Sequence, residues 1–324
     1  MSREISIEEF AARSELRKSK IRKTGSLSLF LGPYGICFLI FFCVPLIFGA
    51  VMSFCKFDGK SFMPSGFVGW DNYEKLFTNP TLSRDFWGSV WITFRFALII
   101  VPLSIVIPLF LAMLINIKPW GYKIFRACIY LPSIFPLTAT GMILLKMFAK
   151  QDGFINALFN INLDWFGDTT LAWFMVGLFC LWCGIGGNFI ILDAGLENID
   201  KTLCEAAQID GSNKWQSFLH VTLPGIKNQI YLCSFTTFIS FMNLYGQVYI
   251  LCSNTPDQDA MKTAVYRIQD LLLGSSKSYG YAAAMGIFLG IIIAFISIIE
   301  MAFTNERKGG HRHEKAFLGQ EKSC

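Results

Sequence analysis

Polar and charged residues along this chain are gathered into tails and short connecting stretches. Between them stand long apolar blocks with few charges or none. Blocks of that kind fit helices that cross a membrane, which need about 20 mostly apolar residues each. Six can be drawn: about Leu27 to Cys55, Trp87 to Ile115, Ile124 to Phe148, Leu171 to Leu192, Gln229 to Cys252 and Tyr281 to Phe303. The predicted fold class is therefore all-α, a polytopic membrane protein with six transmembrane helices. The blocks divide the chain into an N-terminal tail (1–26), a membrane domain (27–303) and a C-terminal tail (304–324). The first block is too long for the core of a signal peptide and follows a polar tail, so it is expected to be retained. Pro132 and Pro136 predict a kink in the third block.

Composition agrees with the pattern. Of 324 residues, 53% are hydrophobic and 16% charged, against roughly 25% charged in soluble domains. The net charge of +5 is explained by where the basic residues lie. Arg3, Arg13, Arg17, Lys18, Lys20, Arg22 and Lys23 crowd the first tail, and Arg307, Lys308, Arg312, Lys315 and Lys322 the last. Six spans put both tails on one side, with Lys118, Lys123 and the loop of about 195–228. That side holds the basic residues by about two to one, so both termini and the loop are expected in the cytoplasm. Nothing in the distribution points to nucleic acid.

Catalytic chemistry finds little footing. Most of the ten cysteines lie within the apolar blocks, where free cysteine behaves as a small apolar residue. Cys180 and Cys183 form a C-x-x-C with no second pair, a weak metal or redox signal. No triad-like or paired-carboxylate arrangement stands out, so an enzyme is not expected. Asp58-Gly59-Lys60-Ser61 has the ending of a phosphate loop, but Phe54 stands where that motif needs glycine. If the chain uses ATP, a partner supplies the site; no metal or cofactor of its own is expected.

The loop near 205 carries more structure than a connection needs. Asp200 can cap a helix over Lys201 to Ile209 by accepting its free amide hydrogens. Asp210-Gly211 breaks that helix, since glycine tolerates the left-handed terminus. Ser212 can cap a second helix with Trp215, Phe218 and Leu219 on one side. Ala206 and Ala207 allow close approach of another surface, and Glu205 offers one charge. A docking element and a plain amphipathic loop both remain open on these residues alone.

Glu205-Ala206-Ala207, Asp210-Gly211 and Leu223-Pro224, at this spacing, resemble the EAA loop of ABC importer permeases. Phe67-Val68-Gly69-Trp70-Asp71-Asn72-Tyr73, Tyr130-Leu131-Pro132, the Trp182, Gly184, Asn188 and Ala194-Gly195-Leu196 series, and Tyr279-Gly280-Tyr281-Ala282-Ala283-Ala284 are similar to the carbohydrate branch of that family. The resemblance covers about Leu27 to Phe303. It implies a type I importer permease fold, a membrane subunit passing a sugar or oligosaccharide across the bacterial cytoplasmic membrane, and no covalent chemistry. It implies as partners a second permease, two ATP-binding cassette subunits and an external or periplasmic sugar-binding protein. Glu205, Ala206, Ala207, Asp210 and Gly211 would then form the coupling helix that enters a cleft of the ATPase. Ser212 stands where alanine is common. Cys252-Ser253-Asn254-Thr255-Pro256 departs from the family's threonine-glycine-glycine-proline turn after the fifth span.

Polar groups inside spans are costly and tend to face a cavity. The fifth block offers Thr236, Thr237, Ser240, Asn243, Tyr245 and Gln247, and the fourth Gly184, Gly187 and Asn188. Asparagine and glutamine both donate and accept, which suits sugar hydroxyls, and Tyr245 or Tyr249 can stack on a sugar face. By position, Gly184, Gly187 and the 237–243 region match residues near the sugar in maltose transporters. The plainer alternative is hydroxyls bonded to their own helix and glycines serving close packing. The same architecture carrying a non-sugar solute is a second reading. A secondary transporter would want a carboxylate at mid-membrane, whereas Asp193 and Glu300 lie near the block ends.

Overall fold

The computed structural model describes residues 31–59, 64, 66–253, 255, 257–274 and 277–320, with backbone alone at 201 and 303–320. The basic N-terminal tail and the first residues of the first block lie outside that set. The first helix, α1, is Leu31–Ser53. It widens into a π-turn at Leu39–Cys43. Pro45 follows and has no amide hydrogen to give to the preceding turn, a gap that a wider turn absorbs.

A small hairpin follows, β1 (Cys55–Lys56) against β2 (Gly66–Phe67), with Cys55 opposite Phe67. Next come α2 (Asp71–Thr78) and α3 (Pro80–Asn116). The Asn79 side chain accepts from the amides of Thr81 and Leu82 and starts α3 seven residues before the second block. At 37 residues this helix is about 55 Å long, well over the roughly 30 Å of hydrocarbon it has to cross.

The third block is broken. α4 (Tyr122–Tyr130) ends in a 3-10 turn at Leu131–Ser133, and α5 (Leu137–Met147) leaves at 96°. The proline-dependent kink is thus present, sharper than a bend within one helix. After α6 (Phe154–Phe159), α7 (Thr169–Glu197) runs unbroken from its cap at Asp168. The loop at its far end carries α8 (Lys201–Ile209) and α9 (Lys214–Ser217). α9 continues through a π-turn, Phe218–Thr222, and a last turn, Leu223–Gly225.

The fifth block is divided into α10 (Lys227–Met242) and α11 (Gly246–Cys252). Residues 243–245 between them leave helical geometry: Tyr245 has φ −140°. Buried Thr263 donates its hydroxyl to the Leu244 carbonyl, so that carbonyl needs no helical partner. α12 (Ala264–Leu273) and α13 (Tyr279–Gln320) complete the chain. Among the described residues four helices are long and apolar enough to span a membrane: α1, α3, α7 and the Tyr279–Ala302 part of α13. The bent α4–α5 pair makes a fifth if it is one span. The divided α10–α11 segment does not pass that test alone, so six spans are not established by length and apolarity.

α7 is the axis of the bundle. Ala172, Met175, Val176 and Phe179 are fully buried against a layer that includes Phe96 and Ala97 of α3, Phe241 and Met242 of α10, and Met285 of α13. A second cluster lies toward the 198–226 loop, where Phe189, Leu192 and Leu196 meet Leu109, Ala112, Ile115, Ile226 and Cys233. In lipid there is little hydrophobic drive between helices, so close van der Waals packing carries these contacts.

The opposite end is tied by the Phe67–Tyr73 stretch. Asn72 donates to the carbonyls of Ser53 (2.8 Å) and Cys55 (3.0 Å), and Tyr73 shares a hydrogen bond with Ser53. The Tyr279 amide donates to the Phe57 carbonyl at 2.8 Å. Gly280 sits hard against Cys55, where a side chain would collide with its carbonyl. These motifs therefore join α1 to α13.

Candidate functional site

A cleft of about 280 Å³ opens between α7 and the α10–α11 pair. It is lined by Ser104, Cys180, Cys183, Gly184, Gly187, Asn188, Thr236, Thr237, Ser240, Phe241 and Gln247. The structure thus brings together seven residues selected from the sequence: Gly184, Gly187, Asn188, Thr236, Thr237, Ser240 and Gln247. It leaves Asn243 and Tyr245 outside the lining. Asn243 ends α10 and turns its amide back to the Ile239 carbonyl at 2.8 Å. Its polar group is used locally because the helix stops there.

The two glycines and their neighbour differ. A Cβ at Gly184 or Gly187 would meet nothing within 4 Å, so these positions leave room in the cleft. A Cβ at Gly186 would lie 3.0 Å from the Tyr130 Cα and closer still to Ser133, so this glycine serves packing. Asn188 forms the floor. Its amide donates to the Ser104 carbonyl (2.8 Å) and the Thr237 hydroxyl (3.0 Å), and it is buried. Thr236 and Ser240 bond back to carbonyls of their own helix at 2.8 and 2.9 Å. Their oxygens keep acceptor capacity.

Beside the helix break stands an aromatic ledge. Tyr245 and Tyr249 stack at 5.5 Å, and Tyr266 meets them edge-on at 5.7 and 5.8 Å. Nearby, Lys262 bridges Asp270 (2.8 Å) and Asp259 (3.1 Å). Its hydrogen bond holds the Asp259 carboxyl below the usual carboxylate range. The altered turn after α11 lies partly outside the described residues, at Asn254 and Pro256.

The 198–226 loop forms the second candidate site. Asp200 accepts from the Thr202 amide at 2.9 Å, which caps α8 and lowers its own pKa. Gly211 ends the turn at φ +81°. The expected Ser212 cap is corrected to Asn213. Asn213 accepts from the Gln216 amide at 2.8 Å while the Gln216 side chain accepts from the Asn213 amide at 2.9 Å, a reciprocal capping box. The turn after Gly211 takes one residue more than the sequence reading allowed. Glu205, Ala206, Asp210 and Gly211 are exposed and Ala207 half-buried, and Ile209 is 87% exposed. An open, capped helix with a bare apolar tip is a surface suited to a partner.

Residues 104–304 match the family described as the binding-protein-dependent transport system inner membrane component. The chain belongs to that family. This permease is 30% identical to the arabinooligosaccharides transport system permease protein AraP of Bacillus subtilis (strain 168), over 87% of this chain and 89% of the other. It is 28% identical to the lactose transport system permease protein LacF of Rhizobium radiobacter, over 86% and 94%. Its fold matches the crystal structure of a bacterial ABC transporter involved in the import of the acidic polysaccharide alginate. The TM-score there is 0.76 at 20% identity, over 89% of this chain and 98% of that one. The permease is therefore a multi-pass membrane protein with a type I ABC importer fold, a transport component and not an enzyme.

Two contributors to these sites escaped the sequence reading. The backbone of Ser104 anchors Asn188, and a carbonyl leaves no mark in a sequence. Arg126 meets Asp193 and Glu197, each at 2.6 Å. Opposite charges at the ends of two apolar blocks were the available signal.

Proposed function

We propose that this permease is one of two membrane subunits of an ATP-driven importer for a sugar or oligosaccharide. The cleft is its share of the pathway. The observation that carries the reading is an open space in an apolar bundle bordered by glycines that leave room, two carboxamides and four hydroxyls. Such groups match the donor and acceptor pattern of a sugar. The names of the relatives, which concern arabinooligosaccharides and lactose, support a carbohydrate. A binding protein is supported by a second neighbour of this fold, determined with an alginate pentasaccharide-bound periplasmic protein (TM-score 0.72, 20% identity).

ATP is bound by partner subunits. The α8 helix docks on them through Glu205, Ala206, Ala207, Asp210 and Gly211, in the cytoplasm, with both termini on the same side. The exposure of α8, its caps at both ends and the excess of basic residues on that side support this arrangement. The opposite end, with the hairpin and the tyrosine ledge, then faces the binding protein.

The test is uptake in vesicles holding the complete complex, with labelled arabinotriose, lactose and maltotriose presented by the binding protein. ATP-dependent uptake of at least one is expected. Uptake of amino acids and of none of the three would reject the sugar reading.

A further inference from the structure

We propose that Arg126 is a positioning residue. With Asp193 and Glu197 it clamps the α4 half of the broken span to the helix that carries the EAA loop, so that movement of α8 is passed into the membrane. This rests on the coupling role given to α8 above.

Arg126 lies on α4, and one of its terminal nitrogens reaches both carboxylates at 2.6 Å. The Asp193 side chain is only 6% exposed, within an apolar helix. A charge in such a place is costly and persists where it has a partner and a task. Asp193 Oδ1 has no hydrogen-bond partner among the described residues, so this carboxylate is held through its other oxygen, by Arg126.

The same seam has a second contact. Gly186, seven residues before Asp193, lies against Tyr130 and Ser133. Positions 186, 193 and 197 share one face of α7. Their partners on α4 and its 3-10 turn follow in reverse order: Ser133 and Tyr130, then Arg126. The short helix is thus fastened to α7 at its middle and at its C-terminal end. Past Ser133 the chain turns through 96° into α5, and residues 134–136 are where a displacement of α4 against α5 is taken up. At the other end, three residues separate Glu197 from the start of α8. A push on α8 therefore reaches α4 through the guanidinium, the polar link in a seam otherwise made by packing at Tyr122, Ile129 and Tyr130.

Removing Arg126 alone would strand a buried carboxylate and can prevent folding. The decisive variant is the neutral pair Arg126→Gln with Asp193→Asn, studied in the complete complex in vesicles. One arm needs no sugar. Spin labels at Lys123→Cys and Gln208→Cys, in a cysteine-depleted background, report the α4–α8 distance before and after trapping with ATP and orthovanadate. With the clamp intact this distance stays fixed, while a 123–146 pair across the bend changes. In the neutral pair the 123–208 distance shifts on trapping although the subunits still co-purify.

In the second arm, stimulation of ATP hydrolysis by arabinotriose-loaded binding protein falls about fivefold or more. Basal hydrolysis is retained, and Arg126→Lys, which keeps the charge, recovers most of the stimulation. A fixed 123–208 distance and wild-type stimulation in the neutral pair would overturn the proposal. Absence of stimulation by every sugar in the unmodified complex would instead reject the sugar reading, and the label distances would still decide the clamp.

Discussion

Gly186 and Gly187 are adjacent in sequence and opposite in consequence. A methyl group at Gly186 has to displace Tyr130 and Ser133, and overpacking of that kind costs about 1–3 kcal/mol. At Gly187 a side chain enters open space. We predict that Gly186→Ala lowers the thermal midpoint of the purified permease, whereas Gly187→Leu leaves the midpoint unchanged and suppresses uptake by filling the cleft. Equal midpoints and equal uptake in both would remove the distinction. Asn188→Leu is expected to act on both properties. It strands the Ser104 carbonyl and the Thr237 hydroxyl, and an unpaired buried polar group costs about 1–3 kcal/mol. A variant with wild-type stability and transport would mean that the Asn188 contacts are dispensable. The polarity of Asn188 was legible in the sequence. Its bond to a backbone carbonyl 84 positions away was not, because only folding brings the two together.

At the level of the helix, the two broken spans differ in how they are written. Pro132 and Pro136 announce the first, since proline cannot complete a helical hydrogen-bond ladder. The break after α10 has no such marker within residues 243–245. It depends on Thr263, 19 residues on, taking the Leu244 carbonyl, so the block reads as continuous. Asn243 reads as a pathway residue for the same reason, as a polar group within an apolar block, and the bond of its amide to the Ile239 carbonyl is not visible there. The α8 helix was legible because its signals are local, an aspartate at one end and a glycine at the other. Gly211 has φ +81°, a conformation that costs other residues roughly 1–2 kcal/mol. We predict that Gly211→Val gives a membrane-inserted permease that still pairs with its partner permease but loses the ATPase on co-purification, or keeps it without stimulated hydrolysis. Normal values in both measurements would reduce the loop to a connection.

The membrane orientation is a property of the whole molecule, because basic residues from both tails and two loops bias it together. A single cysteine at Asn213, in a cysteine-free background, should resist an impermeant thiol reagent in intact cells and react once the membrane is opened. Labelling in intact cells would invert the assignment. The first helix adds a matter of timing. Only 6% of its most apolar window is buried within the subunit. Its fastening to the last helix waits on Tyr279, whose amide meets the Phe57 carbonyl. During synthesis α1 is tied at its Ser53 end by Asn72 and Tyr73, while its contact with the last helix therefore waits until nearly the whole chain has left the ribosome. A transcript cut short before Tyr279 would release a protein whose first helix lacks the last helix to close against, which is the kind of product that membrane proteases remove.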